Sequence, residues 1–520
     1  MLPDVIGVVG AGTMGAGIAQ LACRAGMRTL LHDADASAAE RALADIRRRL
    51  ERDVERGRLD LDGAQTALRR LAAAPELTEL APAGLVIEAA PESLELKREL
   101  FARVAGVVGD GCVLATNTSS LSVTAISAGV PGPERVVGMH FFNPAPLMKL
   151  VEVVAGEASS EDALQVARAT GAAMGKHVID AADSPGFLVN RCNRPFALEG
   201  LRLVQERLAT PEQVDRICRL GGGFPMGPFE LMDLVGIDVG FEISRSFYEQ
   251  SFGEPRWRPS PLAARMAAAG RHGRKTGRGW FDYPAGGGSH RADDPPAPPV
   301  GGGDGRLVVI AGESALAGEL VAAAEQAGWR AAGPEEAEGE LPELVVDCGA
   351  EEETAPLQGG PPVLLCDEAS LAALDPGGSA AGFFALPPLG SLVELTHHPS
   401  TSSAAARAAE EFFTSLGRHV EWVGDAPGLV LGRIVSQLVN EGAFALGEGL
   451  GTASDIDAGM VLGLNHPRGP LEWGDEIGTP EVLAVLSGLQ DEYREERYRP
   501  APALLRAARN GEELHTRSYD

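Results

Sequence analysis

Three glycines close to the start of the chain have the spacing Gly-x-Gly-x-x-Gly, at Gly10, Gly12 and Gly15. The apolar run before them predicts a strand and the run after them predicts a helix, the setting in which this spacing binds a dinucleotide. The first glycine permits a tight turn, the second lets backbone approach a pyrophosphate, and the third brings helix against strand. A glycine-rich turn that only packs a helix on a strand is the alternative. The loop residues predicted to bind a cofactor are Gly10, Ala11, Gly12, Thr13, Met14 and Gly15.

An acidic residue, Asp33, follows the second apolar run, in the segment LLHDAD. A carboxylate at the end of this strand can hydrogen-bond the adenosine ribose of a dinucleotide, and it repels a 2′-phosphate. The sequence therefore favours NAD over NADP. The alternative role for Asp33 is to cap the next helix, although Asp35 could be that cap instead.

A histidine, His140, ends a later apolar run, and Glu152 lies in the run that follows. A nicotinamide site that acts on an alcohol needs a group that takes the hydroxyl proton, and the ordinary histidine pKa of about 6.5 suits that task. Glu152 could orient the imidazole and stabilise its protonated form. A single histidine at a strand end is often only structural, so spacing alone leaves both roles open.

The elements that must position these residues follow an alternation of short apolar runs and Ala/Arg/Glu-rich stretches before Ser184. This alternation predicts an α/β fold with a Rossmann-type doubly wound sheet. From Ser184 onward the sequence favours an all-α domain, in which Pro195 should kink or restart a helix. The predicted strands are Val5–Val9, Arg28–His32, Leu85–Ala89, Val113–Thr116, Val136–His140 and Lys149–Val154.

Bulk composition limits the classes of partner. The formal net charge of −28 disfavours nucleic acid and anionic membranes, and a well-solvated acidic surface is the simpler explanation of that charge. No apolar run reaches the roughly 20 residues that span a bilayer, and no signal peptide precedes the first strand-like run. The cysteines are scattered without a C-x-x-C pair, so neither a metal site nor a disulfide framework is expected. We expect a cytoplasmic protein.

The chain contains an internal duplication. The segment GMHFFNPAPLMKLVEVV is echoed by AGFFALPPLGSLVELT, and an offset of 242 residues aligns Glu152 with Glu394. The same offset aligns Pro185-Gly186 with Pro427-Gly428 without a gap. Agreement at several positions along one offset indicates a duplicated pair of domains and not a short solenoid repeat.

The second copy has lost the chemistry of the first. At the aligned positions Gly382 replaces His140, Ala385 replaces Asn143 and Gly432 replaces Asn190. The segment VVIAGESALAGEL keeps only Gly312 of the glycine loop, with Ile310 and Ala315 aligned to the other two glycines. We therefore predict that the second copy binds no dinucleotide and has no active site.

The duplication and a Gly/Pro-rich stretch divide the chain into five predicted parts. The composition of the stretch after Tyr283 predicts a flexible linker that does not pack. The parts are an NAD-binding Rossmann domain at 1–183, a helical substrate and dimerisation domain at 184–284, a linker at 285–304, a degenerate Rossmann-like segment at 305–425 and a second helical domain at 426–520.

Five motifs together resemble the NAD-dependent L-3-hydroxyacyl-CoA dehydrogenase family: GAGTMGAGIAQ, TNTSSLSVT, GMHFFNPAPLMKLVEVV, SPGFLVNR and GGGFPMGPFELMDLVG. The resemblance covers residues 1 to about 284, and the long duplicated chain is most similar to the form of this family found in phenylacetate degradation. It implies oxidation of the 3-hydroxyl of an acyl-CoA, such as 3-hydroxyadipyl-CoA or 3-hydroxybutyryl-CoA, to the 3-keto product with NAD as cofactor.

Matching motifs imply roles for individual residues. His140 is implied to be the general base and Glu152 its partner, while Ser119 and Asn190 contact the substrate. A basic tract lies near the CoA nucleotide in the family, which implies substrate contacts from Arg52 and Arg56. Further cofactor contacts are implied for Glu92, Lys97, Ser119, Asn143 and Lys275.

Several of these residues have a structural alternative. Ser119 could cap a loop, Asn190 could be a helix N-cap, and Lys275 could be a surface lysine in a turn. The basic tract, with its interleaved acids, could be a solvated helix with internal salt bridges.

Two other functions are open from the sequence. One is a β-hydroxyacid dehydrogenase that acts on a free acid, but such enzymes use a lysine base and no matching lysine motif is present. The other is a non-catalytic acyl-CoA-binding or structural descendant, which would not need to retain a base. Single-copy relatives pair their helical domains across a dimer, so the second copy implies an intrachain pseudo-dimer, and a further homodimer is possible.

Overall fold

The computed structural model describes residues 2–284, 290–349 and 360–515. The contacts divide the chain into two compact units, of which the first contains Met1–Arg191 and Glu448–Asn465 and the second contains Cys192–Gly447 and His466–Asp520. Each unit therefore combines residues from both copies of the duplication. This division cuts across the predicted domain boundaries, which stay a prediction.

The first copy alternates strands and helices and then becomes helical. Its strands are β1 (Val5–Val9), β2 (Arg28–His32), β3 (Leu71–Ala73), β4 (Leu85–Glu88), β5 (Val113–Thr116), β6 (Val136–Phe141), β7 (Leu150–Ala155) and β8 (His177–Ala182). Its helices are α1 (Thr13–Arg24), α2 (Ala36–Glu55), α3 (Leu61–Arg70), α4 (Leu94–Ala105), α5 (Val123–Ser127), α6 (Glu161–Ala173), α7 (Val189–Cys192), α8 (Arg194–Gln205), α9 (Pro211–Leu220), α10 (Pro228–Val235), α11 (Ile237–Gln250) and α12 (Pro261–Ala268).

The second copy repeats this order with fewer elements. Its strands are β9 (Leu307–Ala311), β10 (Arg330–Ala332), β11 (Leu344–Asp347), β12 (Pro362–Leu365), β13 (Ala381–Phe384), β14 (Leu392–His397) and β15 (His419–Trp422). Its helices are α13 (Ala315–Gln326), α14 (Leu371–Leu374), α15 (Ser403–Ser415), α16 (Leu431–Gly447), α17 (Ala453–Leu464), α18 (Pro470–Ile477), α19 (Thr479–Tyr493) and α20 (Pro502–Asn510).

The first unit contains an eight-stranded sheet in the order β3-β2-β1-β4-β5-β6-β7-β8. All neighbours are parallel except β6 and β7. The central strands β4, β5 and β6 are buried along their whole length, as expected for a parallel sheet with helices on both faces. The predicted α/β fold is confirmed. Strands β3 and β8 were not predicted because edge strands are partly exposed and carry weak apolar patterns.

The second unit contains a seven-stranded sheet in the order β10-β9-β11-β12-β13-β14-β15, with β13 and β14 antiparallel. This is the order of the first sheet without a counterpart of β3. The second copy also lacks counterparts of α2 and α3, because β10 and β11 are joined by a short segment without a helix. The internal duplication therefore extends to the fold.

Pro195 separates α7 from α8, as predicted, because it lies in the first turn of α8 and offers no amide to a continuing helix. Gln437 is the aligned residue of the second copy, and α16 runs through that position without a break.

The predicted alignment of the second glycine loop is wrong by two residues. Gly312 directly follows β9 and has a φ of +107°, as Gly10 directly follows β1 with a φ of +103°. Gly312 therefore corresponds to Gly10, the turn position that favours a positive φ. The N-cap of α13 is Ser314, which stands where Gly12 caps α1.

One helix from each copy packs on the sheet of the other copy. In the first unit, α17 lies on β7 and β8, and a Cβ added to Gly459 would meet Ile179 and Val189 at 3.2 and 2.7 Å. In the second unit, α9 lies against β14, and the amide of Ser391 donates to the carbonyl of Leu220 at 2.8 Å. Aligned helices thus make reciprocal contacts.

The expectation that the linker does not pack is wrong for residues 290–304, while 285–289 lie outside the described residues. The ring of His290 stacks on Phe281 at 4.2 Å, and Arg219 pairs with Asp294 at 3.0 Å. Gly301 donates its amide to the Ser415 carbonyl at 2.9 Å. A segment without regular structure can still be anchored through individual side chains and amides, which composition does not reveal.

Candidate active site

The glycine loop joins β1 to α1, and its three glycines have different reasons to lack a side chain. A Cβ on Gly10 would lie 2.5 Å from the Ala89 carbonyl oxygen, and one on Gly15 would lie 1.8 Å from that of Gly10. A Cβ on Gly12 would meet no atom of the chain within 4 Å. Packing therefore explains two glycines but not Gly12, which leaves the N-terminus of α1 open to a ligand phosphate. The loop fits a dinucleotide.

Asp33 follows β2 and binds the glycine loop. Its Oδ2 accepts from the Ala11 amide at 2.7 Å, and its Oδ1 accepts from the Asp35 amide at 2.9 Å. The cap of α2 is Asp35, whose side chain accepts from the amide of Ser37. The capping alternative for Asp33 is therefore wrong, and its contact with a ribose stays a prediction.

His140 and Glu152 face each other across the antiparallel pair β6 and β7. The Nδ1 atom of His140 lies 2.6 Å from Oε2 of Glu152, and both residues are buried. The rings of Phe142 and Phe187 pack against the imidazole, with centroids 4.6 and 5.9 Å away. This is the dyad that the sequence predicted.

The other oxygen of Glu152 binds the chain just before α7. Oε1 accepts from the amides of Leu188 and Val189 at 3.1 and 2.9 Å. Positive φ values of 75° at Gly186 and 53° at Phe187 turn these successive amides toward the carboxylate. Because the left-handed conformation is strained for a phenylalanine, the turn is maintained by the bonds that it makes.

Ser119 lies in the loop between β5 and α5, and Glu92 holds this loop. Oε1 of Glu92 accepts from the amides of Ser119 and Ser120, each at 3.1 Å, and from the hydroxyl of Thr118. Burial opposes ionisation of Glu92, but the Lys97 ammonium and these hydrogen bonds outweigh it and lower the pKa of this carboxyl. The cap of the following helix α5 is Ser122, and the substrate contact of Ser119 stays a prediction beside its loop-cap alternative.

Lys97 is only 1% exposed and lies between two carboxylates. Its Nζ binds Oε1 of Glu88 at 2.7 Å and lies 3.3 Å from Oε2 of Glu92. Glu88 also accepts from the hydroxyl of Thr116 at 2.7 Å. The geometry gives Lys97 a positioning role, and its predicted direct contact with the cofactor stays a prediction.

Three further residues that support the site were not found from the sequence: Glu88, Asn117 and Asp183. Oδ1 of Asn117 accepts from the Phe141 amide at 2.8 Å, next to the catalytic histidine candidate. Asp183 accepts from the Ser122 hydroxyl and the Thr124 amide at 2.7 and 2.8 Å, which fixes the far end of the serine loop. The sequence signal for these three residues was only that each is a polar residue at the end of a predicted strand or domain.

Asn190 lies in α7, immediately after the two amides that bind Glu152. The position before α8 is taken by Asn193, so the N-cap alternative for Asn190 is wrong. Lys275 lies in the second unit, where its Nζ pairs with Asp238 at 2.7 Å. Its predicted role in cofactor binding stays a prediction.

A basic cavity of about 610 Å³ lies between α1, the C-terminal end of α2 and the segment after β6. Asn143 forms part of its wall, and its arginines are Arg24, Arg49, Arg52, Arg56 and Arg58. Arg24 pairs with Asp53 at 3.8 Å, but among the described residues neither Arg52 nor Arg56 pairs with a carboxylate. Because α2 also holds an internal pair between Asp45 and Arg48 and both Arg52 and Arg56 are exposed, the CoA contacts and the solvated-helix alternative both stay predictions.

Within the described residues no group of His, Cys, Asp and Glu side chains could hold a metal ion. The same residues include no helix long and apolar enough to cross a membrane. The six cysteines are all buried and free.

Two family models match the chain. The NAD-binding domain of 3-hydroxyacyl-CoA dehydrogenase matches residues 5–184, and the C-terminal domain of the same family matches residues 186–283 and again 428–517. The second match falls on the second helical segment, in agreement with the internal duplication.

Similar proteins extend over the same regions. The 3-hydroxyadipyl-CoA dehydrogenase of Escherichia coli (strain K12) is 36% identical over 505 residues, which are 97% of this chain and 97% of that protein. A probable 3-hydroxybutyryl-CoA dehydrogenase of Bacillus subtilis (strain 168) is 39% identical over 276 residues, 53% of this chain and 96% of that protein. The crystal structure of 3-hydroxybutyryl-CoA dehydrogenase from Escherichia coli K12 superposes with a TM-score of 0.83 at 34% identity, covering 98% of this chain and 99% of that one.

The glycine loop and the buried histidine–carboxylate pair thus occur in a chain that matches relatives over almost its full length. The chain belongs to the 3-hydroxyacyl-CoA dehydrogenase family and is an NAD-dependent oxidoreductase that acts on the CH–OH group of a 3-hydroxyacyl-CoA.

Proposed function

We propose that His140 is the general base that takes the proton of the substrate's 3-hydroxyl group. The observation that supports this role is the 2.6 Å contact between His140 Nδ1 and Glu152. Because an ionised carboxylate only accepts, Nδ1 carries the proton of the neutral ring and Nε2 is left to accept one. Glu152 then stabilises the imidazolium that forms. NAD, when bound, accepts the hydride that leaves the carbon.

Ser119 and Asn190 are the proposed polar contacts to the reacting part of the substrate. Each lies on a segment that the site itself fixes: Glu92 binds the serine loop, and Glu152 binds the amides that precede Asn190. A hydroxyl held in this way can donate to the oxygen that becomes the ketone. Positions fixed before binding reduce the ordering cost of the reactive complex.

The basic cavity is the proposed site for the phosphates of CoA. Arg52 and Arg56 are assigned as its anion contacts, since guanidinium groups bind phosphate through paired N–H donors. The aligned region of the second copy has no such helix, which supports a function for α2 beyond the fold.

The proposed substrate is 3-hydroxyadipyl-CoA, with 3-hydroxybutyryl-CoA as the second candidate, in phenylacetate or fatty-acid catabolism. The first choice rests on the relative of that name, which aligns with 97% of this chain including the second copy. We place the enzyme in the cytoplasm, and its buried free thiols fit a reducing compartment.

The second copy is proposed to act as a built-in partner, so that the helical domains form an intrachain pseudo-dimer. Helix α8 packs on the aligned portion of α16, as an isologous contact requires. A chain ending at Tyr283 should therefore dimerise or aggregate, because the apolar side of α8 loses its partner. Light scattering decides the question, and a stable monomer of this shortened chain would contradict the pseudo-dimer.

The reduction of 3-ketoacyl-CoA compounds by NADH tests the proposed function. Absorbance of the reduced nicotinamide should fall with acetoacetyl-CoA and, at a higher kcat/KM, with 3-ketoadipyl-CoA, but not with free acetoacetate. Activity on the free acid would favour a β-hydroxyacid dehydrogenase. Binding of acyl-CoA without turnover would instead support the non-catalytic alternative.

A further inference from the structure

The second copy encloses a cavity of about 250 Å³ within the second unit. Its wall is formed by the N-terminus of α13 at residues 314–316, by residues at or just after the carboxyl ends of the parallel strands β11 and β12, by the end of β13 and the segment after it, and by residues of α16, α18 and α19. Ligands of doubly wound sheets collect at this edge. All residues proposed for the dehydrogenase reaction lie in the first copy, so this cavity is separate from that reaction.

The charge of the wall excludes the ligands of the first copy. Asp367, Glu368 and Glu481 contribute carboxylates, and among residues 2–284, 290–349 and 360–515 no lysine or arginine lines the cavity. Within the described residues none of the three forms an ion pair or accepts from a charged donor. The phosphates of NAD or CoA would be repelled, and the Ser314 side chain occupies the place where Gly12 leaves the backbone open.

The charges of Glu368 and Glu481 act on Asp367. Burial, together with the charges of Glu368 and Glu481, raises the pKa of Asp367 to about 6. At pH 7 most Asp367 groups are nevertheless ionised, so the wall carries negative charge without a counterion from the chain. A cation inside the cavity would compensate that charge in a partly desolvated setting, where Coulomb attraction is stronger than in water.

Besides the carboxylates, the lining contains the hydroxyl groups of Ser314 and Ser436, and most of the other lining residues are apolar. Phe384, Leu386 and Val485 are among the apolar residues of the lining. Ser436 also lines the cavity, is only 2% exposed, and its hydroxyl has no hydrogen-bond partner among the described residues. A cavity of about 150 Å³ is enough for benzene, so this space holds a ring-sized body and a short polar group.

We propose that the cavity of the second copy binds a small primary ammonium compound with an apolar body about as large as a benzene ring. The carboxylates of Asp367 and Glu481 take the ammonium group, and the Ser436 hydroxyl accepts one of its N–H donors. The apolar side chains cover the body. The degenerate copy would then have exchanged an anionic cofactor for a cationic ligand at the same edge of the sheet.

Calorimetric titration of the full-length protein with three molecules of similar shape tests the charge requirement. Benzylamine should bind with a stoichiometry of one per chain, benzyl alcohol at least tenfold more weakly, and benzoate not measurably. Saturating NADH should leave the benzylamine affinity unchanged. Equal binding of the alcohol, stronger binding of benzoate, competition by NADH, or no binding of benzylamine at millimolar concentration would each overturn the proposal.

Variants locate the site. The double variant Asp367→Asn/Glu481→Gln should weaken benzylamine binding at least tenfold and Ser436→Ala about threefold, the size of one modest hydrogen bond. Glu492→Gln, on the same helix as Glu481 but not in the lining, is the matched control and should bind normally. Turnover should be unchanged in all of them, and melting curves should show intact folding. Unchanged binding by the folded double variant would overturn the proposal, and if it fails to fold, the comparison of the three molecules on the wild-type chain still decides.

Discussion

Glu152 and Glu394 occupy the same position in the two copies, and Glu152 has an imidazole ring where the second copy has Gly382. Each carboxylate is buried and accepts from two successive amides at the start of the following helix. Burial raises the pKa of Glu394 to about 8, because these two amides do not replace the water that the group has lost. In the first copy His140 adds a third donor. The imidazole therefore gives Glu152 a contact for which Glu394 has no counterpart among the described residues.

Substitution of His140 or Glu152 should distinguish the loss of proton transfer from the loss of imidazole orientation. His140→Ala is expected to lower kcat by about 10²–10⁴-fold, the usual contribution of a general base, with an unchanged NADH dissociation constant. Glu152→Gln should cost less, because the imidazole remains. Steady-state kinetics with acetoacetyl-CoA and fluorescence titration with NADH measure both effects. If His140→Ala keeps a tenth of the wild-type turnover, or if Glu152→Gln is the more damaging change, the roles are misassigned.

The raised pKa of Glu394 predicts a pH dependence of stability. Its folded pKa of about 8 lies above the ordinary value of about 4.3. Between these values the folded state binds a proton that the unfolded state has released, so the free energy of unfolding falls as pH rises from 5 to 8. Asp215, whose pKa burial raises to about 7, contributes with the same sign.

Glu394→Gln should therefore flatten the decline of the melting temperature between pH 5 and pH 8. Glu325→Gln, an exposed position in the same Rossmann-like segment, serves as the control and should keep the wild-type slope. Melting curves at several pH values measure the effect. Identical slopes for wild type and Glu394→Gln would mean that the buried carboxyl is ionised throughout this range.

The serine loop shows how one element is held by another at the scale of strands and helices. Helix α4 supplies Lys97, which binds Glu88 at the end of β4 and approaches Glu92, and Glu92 binds the loop after β5. The Lys97–Glu88 pair lies in the interior, where an unpaired charge is unfavourable, while the Glu92 side chain is 37% exposed. The position of Ser119 thus depends on an ammonium group that need not touch the substrate.

Lys97→Met should move the serine loop without removing any residue that contacts the substrate. We expect kcat/KM for NADH-dependent reduction to fall about 10²-fold, since small misplacements of reacting groups have effects of that size. The acid limb of the pH–rate profile should shift upward, because Lys97 lowers the pKa of Glu92. Arg103→Met on the exposed side of α4 is the control. A destabilised Lys97→Met enzyme with wild-type kinetics and pH profile would limit the lysine to a structural role.

Local patterns made some elements predictable and left others hidden. The glycine loop, β1 and α1 are adjacent in sequence, so turn and strand signals predicted them. His140 and Glu152 come together because they are directly paired residues of the neighbouring strands β6 and β7. Glu88 and Asp183 could not be assigned, because their partners lie 9 to 61 residues away and only tertiary packing joins them. The loop around Gly312 was misaligned because the alignment compared residue types. The two turns share a backbone conformation instead, with a positive φ at both Gly10 and Gly312.

At the scale of the whole molecule, duplication allowed one copy to lose its chemistry while the fold was kept. The second sheet retains its strand order but has no counterpart of the α2–α3 region, and Gly382 stands at the position of His140. What it retains are contacts that the first copy needs: α17 packs on β8 and on β7, the strand that carries Glu152. Selection on the first active site can therefore maintain the second copy without any activity of its own.

A buried charge cluster joins the two copies within the second unit. Its disruption tests directly whether the stability of the chain depends on this contact between the copies. Arg433 from α16 is fully buried and binds Glu199 from α8 at 3.0 Å and Glu206 at 2.7 Å. Arg433→Met should lower the free energy of unfolding by about 3–5 kcal/mol, because it leaves buried carboxylates short of a counterion. Arg494→Met, which removes an exposed pair, should change it by less than about 1 kcal/mol. In urea titrations the double variant Arg433→Met/Glu199→Gln should recover part of the loss, since it removes both charges of the pair. If Arg433→Met is no more harmful than Arg494→Met, this cluster does not hold the copies together.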